Sequence, residues 1–297
     1  MDITIKNEAL TVVVSTLGAE MQSVRDTGGT EYLWNGDMAY WTGRAPNLFP
    51  YVGRLTNKTY RLKEKSYTMG IHGFAAHKEF AVAENEDNAA TFALEDDAAT
   101  QAMYPFRFAL RVCYRLSGKR LGITFTVENK GSEMMYFGLG GHPGFRVPLE
   151  SGLKFEDYML EFGEAAAPVR IGISPAGFCS GADEPFFLQD GLRLPLSHDL
   201  FDNDAIVLAG MANSVTLRRI CGENALRVEY PDMHYLGLWH MPLTDAPYIC
   251  IEPWTSLPSR QGIIEDLSQQ KNLIRLPAGQ IYENKWAIEI LNEADSL

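Results

Sequence analysis

Apolar and β-branched residues recur at every second position in short runs along this chain, and polar turns separate the runs. Residues 3–5 and 10–14 flank Lys6-Asn7-Glu8, which suits a hairpin. The stretch 17–26 holds another strand, Thr27-Gly28-Gly29-Thr30 turns, and 31–34 resumes. Residues 60–67 alternate around Lys63-Glu64-Lys65, 79–94 around the acidic Glu84-Asn85-Glu86-Asp87-Asn88, and 106–116 pairs with 121–129 across Ser117-Gly118-Lys119. Further runs follow at 158–162, 192–196, 215–219 with 226–230, 235–240, 248–252, 272–276 and 280–291. Residues 96–103 suggest one short helix, and 262–267 a short helix or loop. Many short strands, Gly/Pro turns and very little helix predict an all-β fold. Two antiparallel sheets pack as one large β-sandwich, a single domain over residues 1–297.

Chemistry concentrates where the alternation fails. In Tyr248-Ile249-Cys250-Ile251-Glu252-Pro253-Trp254-Thr255 an apolar strand ends on one carboxylate, and Pro253, with no N–H to give, breaks the ladder there. A glutamate between an apolar strand and the Trp254 indole is partly desolvated, which raises its pKa and suits it to proton transfer. In Met69-Gly70-Ile71-His72-Gly73-Phe74 a histidine stands among glycines, where backbone or ligand approaches closely. His142, in Gly140-Gly141-His142-Pro143-Gly144, is positioned rather than packed; the glycine spacing is not that of a dinucleotide-binding turn. Residues 41–58 are Pro/Gly-broken yet rich in large apolar side chains, so this loop is buried or lines something. Arg54 within it reads as a hydrogen-bond fork for hydroxyls or carboxylates. Asp202-Asn203-Asp204 is explained as a turn alone, and His240 could face the same cavity.

Composition narrows the partners. The 297 residues are 46% hydrophobic, enough for a sizeable core, and the net charge of −12 argues against nucleic acid and anionic membrane surfaces. A neutral small molecule fits most easily. Cys113, Cys179, Cys221 and Cys250 are dispersed, with no CxxC, and the first residues lack a basic-then-apolar leader, so a reduced cytoplasmic setting is expected. His72 and His77 are weak evidence for a metal, and no metal is expected.

In order along the chain, Gly53-Arg54, Ile71-His72-Gly73-Phe74, Gly141-His142-Pro143, the Asn203/Asp204 turn and Glu252-Pro253-Trp254 resemble the aldose 1-epimerase (galactose mutarotase-like) family, in its LacX-type branch. The resemblance implies a β-supersandwich with the active site in a cleft on one sheet face. It makes Glu252 the general base, His142 the general acid, and His72 a binder of substrate hydroxyls. The family's loop reads G-R-x-x-N-R; here it reads Gly53-Arg54-Leu55-Thr56-Asn57-Lys58. Either Lys58 replaces the family's binding arginine or Arg54 takes its task, and the rigid guanidinium favours Arg54. The family's binding aspartate falls at Asn203 or Asp204, with Asp204 preferred. Asn57 and Trp254 complete the expected binding set, and Trp254, Phe74 and Phe145 offer flat faces to a sugar ring.

The implied reaction interconverts α and β anomers of a free hexose such as galactose or glucose, with no cofactor, in a monomer or homodimer. A hexose-6-phosphate epimerase is the same-fold alternative, with Arg44, Arg54 and Lys58 near enough in sequence to bind the phosphate. A non-catalytic sugar-binding or sensing protein is the other, though binding alone needs neither base nor acid.

Overall fold

The computed structural model describes residues 1–222 and 225–291. Among them, two large antiparallel sheets carry the fold. The nine-stranded sheet runs in the order Arg193–Pro195, Tyr158–Phe162, Ser214–Arg219, Ala225–Glu229, Ile281–Leu291, Arg120–Asn129, Phe108–Ser117, Ala89–Glu95 and Ala81–Asn85. The eight-stranded sheet orders Glu184–Pro185, Val169–Arg170, Ile206–Ala209, Tyr235–Trp239, Tyr248–Trp254, Gly140–Gly141 and Asn47–Leu48, with Gly144–Arg146 also paired to Tyr248–Trp254. Asp2–Lys6, Leu10–Ser15 and Met21–Asp26 form a separate three-stranded sheet. The α-helix, Ala98–Met103, is short and begins on a reciprocal cap: Asp97 accepts from the Thr100 N–H, and Thr100 Oγ1 from the Asp97 N–H. No helix among the described residues is long and apolar enough to cross a membrane.

Alternation sorts side chains between two environments. The main hydrophobic cluster draws on residues from Ile5 to Ile290, and Phe125, Val127, Trp286 and Ile288 of the large sheet meet Ile206, Leu208, Leu236, Leu238, Ile249 and Ile251 of the other in it. Each large apolar side chain so buried is worth about 1.5–3 kcal/mol relative to exposure. The opposite parity of the same three strands goes to the other face. Val207, Tyr235 and Trp254 gather there with Leu48, while Trp239, Tyr248 and Cys250 gather with Trp34 and Trp41. A strand buried on both faces reads as a near-continuous apolar run, and Tyr248–Trp254 is buried at every position. Glu252 interrupts that run on the face away from the core.

One expectation is corrected. The strand does not end at Glu252: Pro253 pairs with Leu236 and Trp254 with Tyr235. Ile251 N–H donates to Pro143 and Thr255 N–H to Leu139. In that register the intervening Pro253 nitrogen faces Gly141, and the bonds on either side of it are made, so the strand runs through the proline at the loss of a single ladder bond.

Candidate active site

A cavity of about 300 Å³ opens on this second face, and Arg54, His72, His142, Asp204, Glu252 and Trp254 all line it. Six of the eight expected site residues, separated by up to two hundred positions in sequence, therefore share one space. Asn57 and Lys58 do not. They sit in the 3₁₀ turn Thr56–Lys58, both exposed, outside the cavity lining. Asn203 is likewise exposed and outside the lining, whereas Asp204 lines the cavity.

Two glycines deliver His142. A Cβ at Gly140 would lie 2.7 Å from Trp254 Cδ1, and one at Gly141 would lie 2.8 Å from the buried Trp286 ring. Only a bare backbone passes between the cleft tryptophan and the core tryptophan, and the next residue emerges beside Glu252. His142 Nε2 lies 3.1 Å from Glu252 Oε2. Glu252 Oε2 and, on the far side of the imidazole, His142 Nδ1 are buried without hydrogen-bond partners among the described residues. Glu252 is 1% exposed. Burial first, and then the nearby Asp204 charge, push its carboxyl well above the usual carboxylate range. Burial, with His72 adding to it, holds the His142 imidazole well below its ordinary value. Each group alone resists charge. A single proton shared by the pair, when it sits on His142, leaves a carboxylate base beside an imidazolium acid.

His72 is oriented by the backbone. Its N–H donates to the Gly53 carbonyl at 2.9 Å, and its Nδ1 accepts from the Gly53 N–H at 3.1 Å. Nδ1 is thus unprotonated, and Nε2 carries the hydrogen as a donor. Its backbone is left-handed, φ 60°, an unusual state for histidine that is concentrated at functional positions. Gly73 follows with φ 79°, and a Cβ there would meet the Phe49 carbonyl at 2.2 Å, which is why glycine stands beside the histidine. Enclosure by its surroundings, with Arg54 and His77 contributing, pushes the His72 imidazole down to about 4. It is neutral at physiological pH.

Three expectations are overturned nearby. His240 does not face the cavity; it is fully buried, bonded through Nε2 to His198 Nδ1 and through Nδ1 to the Met241 carbonyl, among Phe155 and Phe201. Phe74 and Phe145 lie in the central core and not in the cavity lining. Arg44 donates to the Gln22 carbonyl, and with Lys58 outside, the three-residue basic pocket is not assembled.

Other lining residues were not foreseen. Trp41 stacks on the His142 ring with centroids 4.9 Å apart, and Trp239 meets the same ring edge-on at 5.9 Å. Ile71, Ile173 and Pro258 are further lining residues. The available signals were parity and loop character: Trp41 sits in the loop read as lining something, and Cys250 is two residues from Glu252 on the same face. His142, Cys250 and Glu252 have ligand-capable atoms within 4.8 Å of one another, the set among the described residues able to approach a metal. Burial and the Glu252 charge keep the Cys250 thiol protonated, and His142 and Glu252 already face each other, so this donor set suits proton exchange better than metal binding.

The aldose 1-epimerase family model matches residues 1–215 of this chain. Beyond that segment, relatives extend the likeness past Glu252. Protein LacX (plasmid form) of Lactococcus lactis subsp. lactis is 38% identical over 98% of this chain and 100% of its own length. Two solved structures superpose closely, each 34% identical. A galactose mutarotase related enzyme from Lactobacillus acidophilus has a TM-score of 0.93, covering 98% of this chain and 97% of its own. A galactose mutarotase-like protein from Lactobacillus casei has a TM-score of 0.91, covering 98% and 100%. Fold, motif order and these matches agree: the chain belongs to the aldose 1-epimerase family.

Proposed function

We propose that this protein is a cofactor-independent mutarotase that interconverts the α and β anomers of a free hexose such as galactose or glucose. The observation that carries the reading is the buried Glu252–His142 pair, 3.1 Å apart, inside a cavity that also presents a neutral histidine, an arginine and an aspartate. Glu252, as carboxylate, takes the proton of the C1 hydroxyl while His142, as imidazolium, gives one to the ring oxygen. The C1–ring-oxygen bond breaks to leave the free aldehyde, C1 turns, and the two transfers reverse with closure on the other face. Each transfer is worth about 10²–10⁴-fold. The His72 Nε2–H, the Arg54 fork and the Asp204 carboxylate are suited to the remaining hydroxyls, and Trp254 offers an apolar face to the ring.

A neutral sugar is favoured over a phosphorylated one because, among the described residues, Arg54 is the one lysine or arginine in the lining. Polarimetry of freshly dissolved α-D-galactose, α-D-glucose and α-D-glucose 6-phosphate tests this. Faster relaxation of a free sugar supports the proposal. Acceleration of the phosphate ester alone transfers the reading to phosphorylated hexoses, and acceleration of none defeats it.

A further inference from the structure

We propose that Trp239 is a positioning residue that sets sugar affinity by holding Asp204, an inference that rests on the mutarotase reading. Asp204 stands at the turn before Ile206–Ala209, with a left-handed backbone at φ 73°. A carboxylate on such a turn gains no fixed direction from a sheet ladder. Its side-chain donor among the described residues is the Trp239 indole, with Nε1 3.0 Å from Asp204 Oδ1. One oxygen is thereby tied and the other remains free to accept from a hydroxyl in the cavity. The indole itself is fixed from the opposite side. Trp239 pairs with Cys250 in the sheet, its ring meets Trp41 edge-on at 5.6 Å, and it meets His142 edge-on at 5.9 Å. A single rigid ring therefore sets the spacing between the carboxylate on one wall and the acid on the other. Neither a phenylalanine nor a leucine could do this, since each lacks the N–H.

The proposal makes Trp239 act through Asp204, so the two losses must overlap. Trp239→Phe keeps a ring and removes the donor. Asp204→Gly removes the carboxylate without strain, because glycine accepts the positive φ. Steady-state mutarotation of the preferred hexose is to be measured for both single variants and the double variant. Each single change is expected to raise KM about tenfold with kcat within about threefold, and the double variant is expected to be no worse than Asp204→Gly alone. Multiplying losses, about a hundredfold in the double variant, would overturn the proposal, as would a fall in kcat at unchanged KM. A second readout needs no turnover. The Trp239 indole cross-peak in a ¹⁵N spectrum, assigned by its absence in Trp239→Phe, should move clearly upfield in Asp204→Gly as its acceptor is lost. A stationary cross-peak would refute the clamp even in a fast mutarotase. A wild type that moves no anomer but shows the shift would refute the mutarotase reading and keep the clamp.

Discussion

Glu252→Gln separates chemistry from folding at a buried carboxyl of the cavity. Glutamine matches glutamate in shape and cannot accept a proton to become an acid, so the C1 hydroxyl loses its base. The loss expected for one positioned proton-transfer group is about 10²–10⁴-fold in kcat, or about 3–5 kcal/mol of barrier. Stability should move the other way. Burial and Asp204 raise the native carboxyl above its ordinary value of 4.5. The native state therefore keeps a proton that the unfolded chain releases. This contribution to stability is complete below pH 4.5 and is lost as pH rises through the raised native value. Glutamine carries no such penalty, so at neutral pH the variant should unfold at the same or a higher urea concentration than wild type. The assay pairs polarimetric mutarotation, corrected for the spontaneous rate, with urea unfolding at pH 7. A folded variant with near-wild-type kcat would refute the assignment of Glu252 as base. A variant markedly less stable at pH 7 would refute the argument that its ionisation is a burden on the fold.

The remaining predictions concern the walls of the site and the titration of its histidines. Arg54→Ala should raise KM about tenfold, whereas Lys58→Ala should leave turnover unchanged and stability within about 0.5 kcal/mol; the reverse pattern in steady-state kinetics would return the binding role to Lys58. His72, His142 and His240 are all pushed below 6.5 by burial, His72 to about 4. The unfolded chain then binds protons that the native state refuses, so stability should fall as pH drops from 6.5 towards 4, and His72→Gln should flatten part of that slope in thermal melts across the range. An unchanged slope would mean that His72 is not held neutral. Gly141→Ala drives a methyl to 2.8 Å from the Trp286 ring, which is walled in by the core, and should cost about 1–3 kcal/mol in urea unfolding while displacing His142 and lowering kcat. Wild-type stability there would show that the backbone passage is wider than drawn.

Much of this protein was legible along the chain, for a local reason. Period-two alternation and turn residues act within a few positions, so the strand hairpins at 106–129 and 215–230, the short helix Ala98–Met103 and the all-β sandwich follow from sequence. Candidate site residues were legible too wherever residue type and glycine context were unusual, as at His72, His142 and Glu252. Other features depended on partners distant in sequence. Whether Pro253 ends a strand depends on whether neighbours hold the chain in register on both sides of it, as Gly140–Gly141 and Gly144–Arg146 do on one edge and Tyr235–Trp239 on the other. Whether Lys58 or Arg54 reaches the cavity depends on a 3₁₀ turn that carries Asn57 and Lys58 out to solvent. Trp41 and Trp239 look like ordinary apolar residues until the sheet brings them 5.6 Å apart around His142. The kind of fold and the candidate site residues can be read along the chain, because propensity and side-chain chemistry are local. Tertiary structure alone decided which groups meet, because that is set by strand register and by which face of the sheet each residue takes.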